Sequence, residues 1–456
     1  KKGGGAVRIE APGGAVTVNG AITADGENAV NYSGAGSGGA IYITCGALAG
    51  TNGSISATGG DVEDTSDAGG GGGRIAVVYD PAVQSNTPLP SIVFRTHPRK
   101  SATGIPIGGI GSLYFPDTQF LGETISLLSG ALVIPGFTNW AVNSLTISNT
   151  WVGWRSTNRF ALTVADDLRI VFTDAARTFA RLEISNAVID VGGDLAITNA
   201  VDTRPDRAGL MLFAGATNSP AAEYGTLLNV SRTLDIARYC FLDPYAHPVN
   251  GAAVKMVTGN LQLAPNAAIN ASTMDYDRDW RNVTKGYAEA KGPGAATVTR
   301  KGGGYGGVGG GIGGGPTYGS SNAPTQPGSG GRNDTGNAAG GGGLAWIVAS
   351  SGVARVDGTI SANSWGSVGD TPGGSGGGIY IVCRRFFGAG SLTANGGGGT
   401  ALPDTGGGGG RIAVISVYDY SSLAATSALG GTIEGTNGTV VFMTIPYFGG
   451  STLFVR

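Results

Sequence analysis

Asp275-Tyr-Asp277-Arg-Asp279 places three carboxylates at alternate positions, the spacing with which calcium-binding loops begin. The rest of such a loop is missing. Trp280 stands where the sharp turn needs glycine, and Gly286 where a bidentate glutamate would complete the coordination. A solvated acidic loop is the plainer expectation, and calcium is the only cofactor the spacing suggests. A second pair, Asp166-Asp167, falls in a polar turn between two apolar phrases, with Asp194 and Asp235 at comparable places further on. Paired carboxylates perform acid–base work on glycosidic bonds. No His or Lys cluster accompanies these, so capping of turns is the expected role. His97 and His247 each precede proline, which places them in loops. No Ser/His/Asp constellation, HExxH, CxxC or P-loop occurs. Trp140, Trp151 and Trp154 with Tyr114 would be the parts of a sugar-stacking platform, although dispersed aromatics in a β-rich chain more often fill cores or cover edges. The residues that could do chemistry therefore point away from an enzyme.

Composition narrows the classes further. Glycine supplies 85 of 456 residues, and charged residues only 13% with a net charge of −2. Each glycine in a regular element costs ~0.5–1 kcal/mol relative to alanine. So many are tolerable only where positive φ or close backbone packing demands them, or where the chain is disordered. The charge balance offers no basic surface for nucleic acid, and no apolar run is long enough for a membrane span. Cys45, Cys240 and Cys383 make no disulfide framework. Cys45 and Cys383 occupy matching places in two repeats, as small buried residues in preference to partners in a bridge.

Those repeats dominate the sequence. SGGAIYITC at Ser37–Cys45 returns as SGGGIYIVC at Ser375–Cys383, 338 residues later. Strand-like phrases begin at Ala6, Ala40 and Arg74, and again at Leu344, Gly378 and Arg411, spaced 33 or 34 residues apart. A second short strand recurs between them, as in GAITADG, GSISATGG and GTISANS. Alternation at period two marks strands with one buried face, and a fixed period of this length marks a solenoid whose units bury their apolar faces on one another. Runs of five glycines, Gly69–Gly73 and Gly406–Gly410, allow adjacent backbones to approach closely. Arg74 and Arg411 follow these runs identically, either bonding corner carbonyls or, the preferred reading, facing water.

Between the modules glycine thins out. The phrases LTVADDLRI, IDVGGDLAI, LNVSRTLDI and VKMVTGNLQL align Leu168, Leu195, Leu234 and Leu261, and SLTIS at Ser144–Ser148 reads as an earlier rung. The segment Arg204–Tyr224 is expected to project as a loop. The tract from Lys285 to Gly343, with GGGYGGVGGGIGGG, is either a flexible linker or a lateral excursion of packed polyproline-II strands. The expected organisation is a glycine-rich module over 1–110, rungs over 111–283, the tract over 284–343 and a second module over 344–456. The fold class is all-β: an elongated parallel β-solenoid or β-helix with glycine-rich coils and excursions.

The order KGYAEAKGPG, GGGYGGVGG, YGSS, GGGLAWIV, SGGGIYIVC, GGGGGRIAV resembles the glycine-rich repeat modules of very large secreted bacterial surface proteins. The resemblance covers Lys285–Val414 and, as part of a preceding module, Gly3–Val77. It implies an extracellular, cell-surface, non-enzymatic protein, and it transfers no catalytic residue. The apolar strand ends at Val7 and Ile9 and at Leu453, Phe454 and Val455 look uncapped, which suggests continuation or head-to-tail stacking on a second copy into a filament or surface layer. A polysaccharide-binding or polysaccharide-cleaving groove is the alternative, with cell-surface glycans as partner. An adhesin or phage-fibre tip built on the glycine tract is another.

Overall fold

The computed structural model describes residues 1–29, 34–62, 69–98, 108–175, 177, 179–201, 207–216, 224–273, 284–334, 338–365, 371–398 and 405–446. Its architecture is elongated, all-β, largely parallel and repetitive in the manner of a solenoid. Among the described residues every pairing between strands is parallel. One isolated antiparallel bridge joins Lys301 to Arg332 in the glycine tract. The only helix among the described residues is the short Pro81–Gln84.

The core is a set of columns in which like residues stack from coil to coil. One reads Leu162, Ile189, Leu228, Met256, Ile347, Ile381, Val414. A second reads Leu145, Leu168, Leu195, Leu234, Leu261, Ala354, Phe386. A third reads Val152, Leu182, Leu210, Leu242, Ile269, Ile360, Leu392. All of these side chains are buried. Parallel in-register pairing forces this result: strands that alternate in phase place each apolar side chain above its equivalent. The aligned leucines of the sequence are thus stacked in fact, and so are Ile41 and Ile75.

The third column corrects one expectation. Residues 204–224 are not simply a loop, because Ala208–Phe213 is a buried strand between Ala180–Val191 and Cys240–Tyr245. Its run AGLMLF lacks alternation since neither of its faces meets open water. The three cysteines are free and buried, so the bridged alternative for Cys45 and Cys383 is not realised.

In the first module, the columns Val7–Ile41–Ile75–Leu113 and Ile22–Ile55–Phe94 both run into the single strand Leu128–Val133, at Leu132 and Leu128 respectively. Only Gly130 separates the two pairings there. In the preceding coil residues 96–111 lie between the corresponding strands, Ser91–Arg95 and Ser112–Tyr114, and one coil earlier residues 57–73 do, so the glycine-rich segments are lateral insertions at one corner. The tract after residue 283 leaves from the same region, and its described residues bond to the rest of the chain, as Gly303 N–H does to Gly373 O and Gly310 N–H to Gly406 O. Its ladder-side neighbours, Val254–Leu263 and Leu344–Val356, pair directly across it.

Hydrogen bonding within the excursions has its own period. The amides of Gly406 and Gly409 donate to Ile433 and Thr436, those of Gly407 and Gly410 to Gly397 and Ala394, and that of Gly408 to Gly303. Direction repeats every third residue, which is the period of a polyproline-II helix. The amides of this run thus reach three neighbouring segments, and a Cβ on any of Gly406 to Gly410 would come within 2.3 Å of a backbone carbonyl oxygen. A Cβ on Gly407 would lie 1.9 Å from Gly374 O, and one on Gly410 2.1 Å from Gly377 O.

Where a coil lacks a strand, a side chain substitutes. Gln84, fully buried at the end of the short helix, accepts from Leu48 N–H at 2.8 Å and donates to Leu48 O at 3.2 Å. Its amide supplies the two bonds that a further strand would have supplied.

Backbone contact, rather than backbone flexibility, therefore sets the demand for glycine. Gly377→Ala, whose Cβ would meet Gly343 O at 1.9 Å, is expected to lose about 1–3 kcal/mol or more. Gly20→Ala, with nothing within 4 Å, is expected to be neutral or to gain up to about 1 kcal/mol. Thermal melts of the two variants decide the matter, and equal melting temperatures would refute the packing account.

Candidate functional site

The carboxylates of the rung turns act on the neighbouring backbone. Asp167 Oδ1 accepts from Asp194 N–H at 2.9 Å and from Arg232 Nη2 at 2.8 Å, while its Oδ2 accepts from Arg169 at 2.9 Å. One coil further, Asp194 Oδ1 accepts from Thr233 N–H at 2.9 Å, and beyond it Asn260 Oδ1 accepts from Val353 N–H at 3.0 Å. Each turn side chain thus satisfies an amide of the next coil. The Asp194 amide, followed by Arg169 and Arg232, holds the Asp167 carboxyl below the usual carboxylate range. Burial, with a smaller contribution from Asp194, pushes the Asp235 carboxyl up. Asp167, Asp194 and Asp235 line a surface depression with Arg169, Thr233 and Gln262. Asp167 is spoken for by an amide and two guanidinium groups, and Asp166 is exposed and apart from the depression. The expected capping role is what the geometry displays.

The aromatic platform does not form. Trp151 and Trp154 are buried, and Trp140 is half-buried with its ring 5.4 Å from that of Trp154. Trp154 in turn stacks on Phe160 within the core. Trp151 instead belongs to a second apolar layer outside the ladders, with Phe179, Met211 and Phe241. Buried Arg181 lies 4.3 Å from the Phe179 ring, 4.9 Å from that of Trp151 and 5.3 Å from that of Phe241, a cation among π-faces. Tyr114 is half-buried on its own strand. His247 caps a turn, its Nδ1 accepting from Val249 and Asn250 amides at 3.3 Å, and burial lowers its pKa.

One charged pair was not foreseen. Lys285 Nζ lies 3.0 Å from Asp243 Oδ2, with both side chains buried, and donates to Asn270 O at 2.8 Å. It also faces the Tyr245 ring at 4.8 Å. Ala246 N–H donates to Lys285 O, so the pair fixes the root of the glycine tract to the rungs. Forty-one residues separate the two side chains, and no local pattern announces such a contact.

A concavity of about 380 Å³ runs across the outward faces of Ala21–Thr23, Thr51–Ser56 and Ser91–Arg95. Thr23, Ser54, Ser56, Thr58, Asp25, Asp61, Arg95 and His97 line it, and Trp151 and Phe179 close its far end. Asp25 accepts from Ser56 Oγ at 2.6 Å and from Thr58 N–H at 2.7 Å. The groove offers hydroxyls to a polar ligand, and its Asp25 carboxylate is already engaged by the next coil.

Asp275, Asp277 and Asp279 lie outside the described residues, as do Leu453, Phe454 and Val455. Among the described residues no cluster of metal-ligating side chains occurs, and no helix is long and apolar enough to cross a membrane. Val7 and Ile9 are half-buried on Ala6–Thr17, which among the described residues pairs only with Ala40–Ala49. Arg74 is exposed, as preferred from sequence, whereas Arg411 is buried and bonds carbonyls. No protein-family model matches the chain, no curated protein matches it, and no solved structure matches it.

The lowered pKa of Asp167 fixes the sign of an acid effect. Its stabilisation is complete above the unfolded carboxylate value, about 3.9, and is lost as pH falls through the lower folded value. Denaturant midpoints measured from pH 6 downward are expected to fall most steeply below about pH 4, and less so in Asp167→Asn. An unchanged acid slope in that variant would show the carboxylate to be idle.

Proposed function

We propose that this chain is a building segment of an extracellular, non-catalytic rod: a parallel β-helix that continues or stacks head to tail into a filament or surface layer at the cell surface. The carrying observation is the state of the terminal strands. Among the described residues, Ala6–Thr17 and Thr439–Thr444 each pair on one side only, and both belong to the same kind of glycine-rich module. Val440 and Phe442 on the second edge are exposed, as an unfinished column requires. An open strand edge is a template for another strand, and a heterologous contact that does not close yields a fibre. The resemblance to large secreted surface proteins supports the same reading, as does the capping role of the rung carboxylates. A second reading, recognition of a cell-surface glycan, has the hydroxyl-lined groove of the first module in its favour.

Ala40 N–H donates to Gly5 O, so alternation along the strand turns the amide of Arg8 to the open edge. Light scattering and negative-stain images of the purified chain are expected to show concentration-dependent rods. Arg8→Pro, which removes that outward donor, is expected to shorten them while the fold survives. A compact monomer at every concentration would sink the stacking proposal, and a blank glycan array would remove the second reading.

A further inference from the structure

The two modules are built alike, yet one face is covered in the second and bare in the first. In the second module, the tract seats itself on the penta-glycine run. Gly306 and Gly307 amides donate to Gly409 O, and Gly408 N–H donates to Gly303 O. Arg411 closes over the tract, donating from Nε to Tyr318 O at 2.9 Å and from Nη2 to Tyr305 O at 3.3 Å, with its guanidinium 5.4 Å from the Tyr305 ring. Alongside, Ser375 N–H donates to Ser329 O, Gly341 N–H to Tyr287 O, and Gly328 N–H to Gly342 O.

Each of these groups has a twin in the first module. Gly3, Gly4 and Ser37 correspond to Gly341, Gly342 and Ser375, and Gly71, Gly72 and Arg74 to Gly408, Gly409 and Arg411. The internal bonds of the two modules agree: Gly72 N–H donates to Gly109 O as Gly409 N–H does to Thr436 O, and Gly73 N–H to Ala57 O as Gly410 N–H does to Ala394 O. The outward bonds are where they differ. The amides of Gly3, Ser37 and Gly71 and the carbonyls of Gly4 and Gly72 have no partner among the described residues. Arg74 is exposed where Arg411 is 7% exposed. A Cβ on Gly408 would strike Gly307 O at 2.1 Å, whereas one on Gly71 meets nothing closer than Gly109 O at 3.8 Å.

From this we infer that the bare face, from Gly3 through Ser37 to Arg74, is a docking groove for an extended glycine-rich polypeptide segment with the chemistry of Gly302–Tyr318. The occupant lays its backbone on Gly71 and Gly72, receives the Gly71 amide, donates to the Gly72 carbonyl, and presents carbonyls and a tyrosine ring to Arg74. Three features select it. The unused groups are main-chain donors and acceptors at the spacing of another main chain. The clearance over Gly71 suits a partner without side chains at the contact. The second module already contains this interface in full. The flanking strand face differs, with Ala6 and Arg8 in place of Leu344 and Trp346, so the glycine rows and Arg74 carry the recognition. The inference is independent of stacking between ends.

The test joins residues 284–340 directly to Gly3 of the full chain, which reproduces the link between Gly340 and Gly341. In the fused protein, hydrogen exchange at the Gly71 amide is expected to slow by at least about tenfold, and modification of Arg74 by a dicarbonyl reagent to slow with it. Gly71→Val should abolish both protections in the fusion while leaving the melting temperature of the unfused chain unchanged. Exchange and modification rates that ignore the fused tract would overturn the proposal. So would protection that persists in Gly71→Val, or an unfused Gly71→Val that fails to fold.

Discussion

A carbonyl oxygen of one segment occupies the space where the next segment's Cβ would stand, and the glycine-rich half of this molecule depends on that contact. At Gly407 and Gly410 the distance to be shared is about half an ordinary van der Waals separation, 1.9 and 2.1 Å. No rotamer adjustment relieves a backbone–backbone overlap of that size. Main chains brought this close reach one another's amides and carbonyls directly, and the three-residue repeat of bond direction lets each segment satisfy three neighbours. The entropic cost of so many glycines is offset by hydrogen bonds available in no side-chain-bearing geometry.

The stacked columns face a complementary problem, since every coil must leave the ladder at its corners without orphaning backbone groups. Polar side chains at the corners solve it. Asn363 N–H donates to Ser272 Oγ, Asn395 N–H to Asn363 Oδ1, and Leu429 N–H to Asn395 Oδ1, so one coil's side chain caps the next coil's turn in series. Asp167, Asp194 and Asn260 form an equivalent series on another corner. Gln84 applies the same chemistry to a missing strand. Of the acidic residues that suggested catalysis, Asp167 and Asp194 are members of this system.

Much of this was legible in the sequence, because in-register parallel stacking writes itself as alternation at a fixed spacing. Leu168, Leu195, Leu234 and Leu261 align in the sequence alone, and they do form one column. The strand Ala208–Phe213 in the third column is not legible because AGLMLF is enclosed on both faces and carries no period. Arg74 and Arg411 show the limit most clearly. Their local sequences are the same, and their surroundings differ only because a tract some hundred positions earlier folds over one of them. The tryptophans were ambiguous for a related reason: a second apolar layer outside the ladders buries Trp151, and the sequence gives no sign of that layer.

In the parallel ladders the hydrogen bonds between coils lie along the direction in which coils are piled. Tension applied along that direction therefore loads one coil boundary after another in series, and the weakest boundary yields first. The coil boundary between Val254–Leu263 and Leu344–Val356 is bypassed by the long excursion, whose root is held by Lys285 on Asp243. Were that boundary to part, the excursion would pay out as slack before the covalent chain drew taut, so the buried ion pair sits where a force fuse would be placed.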